Sequence, residues 1–319
     1  MKKTICISIP CYNEVENVVP LCETIIKIFK ENLEQYDYII QLIDNKSTDG
    51  TRDKIQYLCS KYKQIRAIFN VKNFPRGSAF HGLMMADGDC TIFMPCDFQG
   101  PPELIPEFVK KWEQGYKIVC GIKKAAQECH VMFGIRKIYY KLIKLCAKLE
   151  NIEYIEQFTG FGLYDKEFMD FIRKLGDPMP FMRSIVAEYG YKICYVDFVQ
   201  PKRKKGRSKI NFYDLYDSAM RSFTMNTKVG VRLSVFVGIL FSTVSFITII
   251  LSSILALRQN KKVKDSNVIL GSELFFVSGI ILTFLGIMGE YILAINTRVM
   301  KHPFVIEERR INFDKNQSK

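Results

Sequence analysis

The chain has 319 residues, 48% of them hydrophobic and 13% aromatic, with 19 Gly and 11 Pro. That composition excludes a disordered or collagen-like chain and suffices for one large domain or two modest ones. The formal charge of +13 is uneven: residues 201–319 hold 19 basic against 8 acidic side chains, so +11 of it lies in the last third. Either nucleic acid or an anionic membrane surface would attract such a stretch.

Met1-Lys2-Lys3 before a short apolar run imitates a secretory signal, but the run is too short and Glu14 and Glu16 follow at once. Short apolar runs then alternate with amphipathic segments of helical length. Thr4–Ile9, Tyr38–Ile43, Ile65–Phe69, Thr91–Met94 and Lys117–Cys120 read as strands. Glu16–Asn32, Thr51–Lys63, Ser78–Ala86 and Glu103–Gln114 read as the helices between and after them, the last opened by Pro101-Pro102. This alternation predicts an α/β fold with a mainly parallel central sheet, whose ligands bind beyond the carboxyl ends of the strands. The polar residues to examine are therefore Pro10–Glu14, Asp44–Gly50, Asn73–Ser78 and Asp97–Gly100. No GxGxxG or GxxxxGK[ST] loop follows any strand, so a dinucleotide or P-loop site has no support.

Further along, Lys202–Lys209 packs six basic residues into eight positions, and Asn211–Arg232 reads as an amphipathic helix leading to a membrane. Leu233–Leu257 then runs 25 residues without a charge, about 37 Å as a helix and longer than the ~30 Å hydrocarbon core. Val268–Ile295 is apolar but interrupted by Glu273 and Glu290, which leave an uncharged middle of 16 residues. Two membrane helices forming a hairpin are expected, with a buried soluble hairpin as the alternative; the membrane reading accounts for the basic last third without nucleic acid. Nine Lys/Arg before the hairpin and six after it, against four in Arg258–Asn267, predict an integral membrane protein with both termini in the cytoplasm. Ser234, Gly238 and Ser242 form a small-residue face that would pack the hairpin or a homo-oligomer. The expected organisation is a catalytic domain over 1–210, a juxtamembrane helix over 211–232, two spans over 233–296 and a cytoplasmic tail over 297–319.

Ten cysteines lie in the first 200 residues without a CxxC pair, and the three histidines (81, 130, 302) do not cluster. A zinc site is unsupported, and the cysteines read as buried thiols of a reducing compartment.

The segments IPCYNEVEN (Ile9–Asn17), DNKSTDGTR (Asp44–Arg52), CDFQGPPELIPEFVKKWEQGYKIVCG (Cys96–Gly121) and the terminal GEY (Gly289–Tyr291) resemble the family 2 glycosyltransferases. The branch they are most similar to is that of the polyprenyl-phosphate glycosyltransferases, such as dolichyl-phosphate-mannose synthase and the bactoprenol glucosyltransferases. The resemblance runs in order over essentially the whole chain. It implies a nucleotide-sugar transferase (GT-A) fold, an NDP-sugar donor, inversion at the anomeric carbon and a polyprenyl phosphate acceptor at the cytoplasmic membrane face. By that resemblance Pro10, Tyr12, Asn13, Glu14, Asp44, Arg76 and Asp97 bind the donor, with Asp44 on the base. Asp97 and Gln99 hold Mg²⁺ or Mn²⁺; Arg183, Arg203, Ser208 and Lys209 meet the acceptor phosphate; and Asp97, Arg203 and Lys209 are the catalytic candidates.

The chain also departs from the family pattern. A first metal acid is Pro95 and a later one Gly100, so metal affinity is expected to be weak; the second acid of the doublet is Asn45, and the glycine after it is Lys46. The family's GDFRL motif, whose Asp is usually assigned as the base, aligns with Thr159-Gly160-Phe161-Gly162-Leu163. A hydroxyl acceptor needs a base, whereas a phosphate monoester is already largely dianionic near neutrality, so this loss favours a phosphate acceptor. Two other readings compete: a degenerate member that binds without turnover, and a transferase acting on another membrane-proximal acceptor. A processive synthase would carry QxxRW, and the one tryptophan, Trp112, follows Lys111. Asp44–Gly50 also reads simply as a capped turn.

Overall fold

The structure, a computed structural model, describes residues 2–75, 77–125, 155–177, 182–201, 236–241, 243, 247, 266–299 and 305–313. In chain order the elements are β1 (Thr4–Cys11), α1 (Val18–Asn32), β2 (Asp37–Asp44), α2 (Thr51–Lys61), β3 (Ile65–Asn70), α3 (Ser78–Met84), β4 (Cys90–Phe93) and α4 (Ile105–Glu113). They continue as β5 (Ile118–Ala125), β6 (Phe158–Asp165), α5 (Lys166–Leu175), α6 (Met182–Glu188), β7 (Ile193–Val199), α7 (Ser266–Val299) and β8 (Glu307–Ile311).

Eight strands form one sheet in the order β7-β5-β6-β4-β1-β2-β3-β8. β1 pairs in parallel with both β2 and β4, β2 with β3, and β5 with β7, while β6 and β8 enter antiparallel. The expected α/β fold with a mostly parallel sheet is therefore present. α1 explains itself: Val18, Leu21, Cys22, Ile25, Ile28 and Phe29 are buried at helical spacing and join Phe69, Phe108 and Phe161 in a core on one face of the sheet. The other face is covered through Leu83, Phe168, Met169, Ile172, Ile185 and Val186 against Ile118, Cys120 and Tyr164. Both faces being covered, the parallel strands read as near-continuous apolar runs. Seven of the eight described cysteines are buried and none is bonded. Burial pushes the Cys6 thiol up to about 11 and Cys59 up to about 12, so these sulfurs stay protonated packing groups.

Residues 305–313, expected to be part of a tail, instead carry β8 along the free edge of β3. α7, in a separate unit, has 34 residues, about 51 Å of helix. Its stretch Val277–Asn296 has a mean hydropathy of 1.8, enough in length and composition to cross a membrane. It is the one such helix among the described residues and matches the second expected span; most of the first expected span, Leu233–Leu257, and the 202–232 segment lie outside them.

β8 is held by charge. Glu307 receives His81 Nε2 at 2.5 Å and Arg310 at 2.5 and 2.9 Å. Burial raises this carboxyl, but the His81 and Arg310 contacts outweigh it and bring it from 4.5 down to about 2. A depressed carboxyl contributes stability that is complete above its unfolded value and lost as pH falls through its folded one. Glu307→Gln should therefore cost on the order of 2–3 kcal/mol near neutrality, with the gap to the parent closing between pH 4.5 and 2. Thermal unfolding of the full chain in detergent across that range checks it; a pH-independent difference contradicts it.

Candidate functional site

The chain leaves β1 toward β2 on one side and returns to β4 on the other, so the carboxyl ends of β4, β1 and β2 open onto a topological switch point. Three loops converge there: residues 11–15, 44–51 and 94–99. The first two are stitched together. Asn13, at φ 54°, donates its backbone N–H to Ser47 Oγ (2.9 Å) and accepts the Thr48 N–H on Oδ1 (2.7 Å). The backbone N–H groups of Glu14 and Val15 go to Thr51 Oγ1 (2.8 Å) and Asp49 Oδ2 (3.2 Å). The Glu14 carboxylate accepts from Asn17 Nδ2 (2.6 Å) at the start of α1. Thus the capped-turn reading of Asp44–Gly50 describes the local structure, and Asn13 and Glu14 serve the loop with atoms expected to serve a ligand. Pro10 and Tyr12 lie half-buried beside them.

Asp44 ends β2 opposite Cys11 and is wholly buried. Its Oδ1 accepts the Ser47 N–H (3.2 Å). Its Oδ2 lies 3.1 Å from Arg52 Nε, yet neither atom has a hydrogen bond of acceptable geometry: the contact is electrostatic, and the oxygen keeps its acceptor capacity. Burial raises the Asp44 carboxyl, against the opposing effects of Ser47 and Arg52.

Asn45, standing where the family pattern has an acid, has a structural reason to be an amide. Its Oδ1 accepts from Asn70 Nδ2 (3.0 Å) and the Phe74 N–H (2.7 Å), and its Nδ2 donates to Asn73 Oδ1 (2.6 Å). A carboxylate could make the first two bonds but not the third. This amide network, extended by Asn70 to Ser78 Oγ, was missed in the sequence, where its only trace is the recurrence of Asn at strand ends. Arg52 was also passed over, although it closes the quoted DNKSTDGTR segment.

After β4, Asp97 sits in a turn around Phe98 at φ 61°, is 8% exposed, and accepts the Gln99 N–H (3.1 Å). Gln99 is half-buried. Among the described residues no group of three or more His, Cys, Asp or Glu could hold a metal ion. One carboxylate with one amide oxygen fits only a cation whose other ligands are phosphate oxygens and water, a set that Mg²⁺ accepts.

β6 places the two glycines of Thr159–Leu163. Gly160 has φ +97° and space for a Cβ, which would sit 3.7 Å from Phe93, whereas a Cβ on Gly162 would meet Val119 O at 2.3 Å. Tyr164 Oη donates to Gly160 O (2.6 Å) and fixes that kink. Asp165 pairs with Cys90 at the far end of β4, caps α5 through the Glu167 N–H (3.0 Å) and accepts from Trp112 Nε1 (2.7 Å). It is thereby removed from the site. Glu156 is exposed and precedes β6 on the site side of the sheet. Arg76, Arg203, Ser208 and Lys209 lie outside the described residues, as does the side chain of Arg183, whose backbone is in α6.

The model of glycosyl transferase family 2 matches residues 6–171. CsbB of Bacillus subtilis, named for glycosyl transfer, is 30% identical over 309 residues, 96% of this chain and 92% of that protein. The SfII prophage-derived bactoprenol glucosyl transferase of Shigella flexneri is 28% identical over 296 residues, 92% and 94% of the two chains. Among solved structures, glucosyl-3-phosphoglycerate synthase of Mycobacterium tuberculosis with Mn²⁺ and UDP-glucose matches at TM-score 0.45 and 17% identity, over 70% of this chain and 77% of that one.

The two glycines should respond differently to added side chains. Gly160→Asp has space and meets only backbone strain, a loss of roughly 1–3 kcal/mol. Gly162→Ala drives a methyl into the β5 backbone and should cost about 3 kcal/mol or more. Denaturant unfolding of both variants tests the order; a milder Gly162→Ala contradicts the packing.

Proposed function

Because the chain belongs to glycosyl transferase family 2, we propose that it moves a hexose, with inversion, from a nucleoside-diphosphate sugar to a polyprenyl phosphate of the undecaprenyl type. It is a glycosyltransferase that uses a nucleotide sugar. The bactoprenol glucosyl transferases, similar to it over nine-tenths of its length, support the lipid acceptor, and α7, apolar enough to span, supports work at a membrane. We place that work at the cytoplasmic face on the charge count around the apolar segments, with a catalytic domain over 1–210, a juxtamembrane helix over 211–232 and two spans over 233–296.

The observation that carries the acceptor assignment is the pair of glycines in β6. Position 162 has no room for a side chain and position 160, though it has room, is a glycine, while Asp165 is committed to Trp112 and a helix cap. A phosphate monoester, with its second ionisation near ~6, attacks without a base. What it requires instead is cationic positioning against the repulsion of the donor diphosphate, the role assigned to Arg183, Arg203, Ser208 and Lys209. On the donor side, Asp44 Oδ2 is the open acceptor for an N–H of the base, with Pro10, Tyr12, Asn13 and Glu14 framing it and Arg76 adding charge near the phosphates. Asp97 and Gln99 would hold Mg²⁺ or Mn²⁺ with the diphosphate oxygens, and that ion supplies charge neutralisation for the leaving nucleotide.

Transfer from UDP-glucose, UDP-N-acetylglucosamine and GDP-mannose to undecaprenyl phosphate, read by mass spectrometry of the lipid, tests the whole reading. A lipid-linked sugar phosphate is expected with one of them and not with undecaprenol; no lipid product with any donor refutes the assignment. Asp97→Asn should lower kcat about 10²-fold. Glu156→Gln should leave at least half of it; a loss comparable to that of Asp97→Asn would make Glu156 the base and remove the argument for a phosphate acceptor.

A further inference from the structure

β8 carries a β-bulge. Phe69 pairs with Arg309 and Asn70 with Glu307, so Glu308 is the extra residue. A bulge re-aims side chains, and here two adjacent acids serve opposite faces of the sheet. Glu307 turns toward α3 and His81. Glu308 turns toward α2, where its Oε2 accepts from Arg52 (2.9 Å) and Lys46 Nζ (3.0 Å). Arg309 shares that face, its guanidinium lying 4.8 Å from the Phe69 ring that Arg52 covers at 5.1 Å. Lys46 holds a left-handed backbone, φ 63°, within the loop that follows Asp44.

Arg52 therefore stands between two carboxylates, Asp44 on the inside and Glu308 on the outside. Toward Asp44 it offers only a misaligned Nε, while its aligned hydrogen bond goes to Glu308. A guanidinium freed from Glu308 would turn to the forked, two-bond pairing that it makes with a carboxylate, consuming Oδ2. Asp44 is also wholly buried, and Arg52, already bonded to Glu308, lies directly against it.

We propose that Glu308 is a positioning residue for the nucleotide donor: it keeps the terminal nitrogen of Arg52 on itself, so that only Nε lies against Asp44, at 3.1 Å and out of line, and Oδ2 keeps its acceptor capacity for an N–H of the base. The proposal rests on the reading of Asp44 as the base contact and extends it to a residue 264 positions further along the chain. The ion pairs of Glu308 are partly exposed and individually weak; their effect lies in the direction in which Arg52 points.

The test measures the dissociation constants of UDP and GDP by calorimetry on the full chain in detergent, together with the thermal midpoint. Asp44→Asn should weaken the tighter nucleotide at least tenfold. Glu308→Gln, which keeps shape and removes charge, should weaken it three- to tenfold, and Glu308→Asp should restore most of that loss. In an Arg52→Gln background Glu308→Gln should change nothing further, because no guanidinium remains to turn onto Asp44. A fall in the midpoint with the same loss of affinity in both backgrounds marks a structural role and overturns the proposal. So does unchanged affinity in Glu308→Gln while Asp44→Asn is weakened, a result that leaves the base site standing. Unchanged affinity in Asp44→Asn removes both.

Discussion

The position of β1 between two parallel neighbours is the constraint on which the rest depends. Parallel strands cannot be joined by tight turns, so each must be followed by a crossover that leaves from its carboxyl end. With β2 and β4 on either side of β1, loops from residues 11–15, 44–51 and 94–99 are delivered to one edge of the sheet. The apolar strands make the edge rigid; the polar residues need only be correct over the few positions that follow each strand. Asp44 shows the cost. It is buried at the last position of β2, and desolvation of its charged form is offset only in part by the Ser47 amide and Arg52.

Most of the polar atoms at that edge are engaged with one another. Asn13, Ser47, Thr48, Asp49 and Thr51 form a closed set of loop-to-loop bonds, and Asn45 ties the same loop to Asn70, Asn73 and Phe74. Such mutual support preorganises a site, since little rotamer freedom is left to lose when a ligand arrives. It also accounts for two departures from the family pattern. Asn45 makes a bond that an aspartate could not, and Lys46 tolerates a backbone conformation suited to glycine while its amine is held by Glu308. The departure at 162 is of another kind, because there the strands have closed to a distance that admits no side chain, whereas Gly160 has space and is set apart by its positive φ.

The first half of the sheet was legible because its signals are local. β1 to β5 and α1 to α4 follow from apolar runs and helical spacing, and each expected element falls within a few residues of the one found. β6 was not legible: FTGFGLYD contains two glycines, which weaken a strand assignment, and it becomes a strand only because β4 and β5 flank it. β8 is further from prediction still. EERRI has no apolar alternation and reads as a solvated charge run; its strand is made by partners some 240 residues earlier in the sequence. Charges on an edge strand also guard it against pairing with another chain. At the site, the residues to inspect were legible from their place after strands, but their use was not. Spacing cannot tell that the Asn13 side chain bonds Thr48 or that Asp165 caps a helix.

The charge of the last third looks different once β8 is in place. Of its eight acids, Glu307 and Glu308 are spent on the sheet, against His81 and Arg310 on one face and Lys46 and Arg52 on the other. Two of those cations, Lys46 and Arg52, come from the first 52 residues, so two of the tail's acids lie beside the loop proposed to bind the donor. The consequence is a division of charge along the sequence. The segment assigned to the donor is neutral in sum over residues 1–100, with 12 basic and 12 acidic side chains, and Lys46, Arg52 and Arg66 among its cations are paired with carboxylates. The segment assigned to the acceptor, 202–209, has no acid in its own sequence. Two anions must be brought together in this reaction, and an incoming phosphate requires free positive charge more than a bound diphosphate does. The acids of the chain's last strand lie on Arg52 and His81, and the sequence of 202–209 itself carries six cations with no acid.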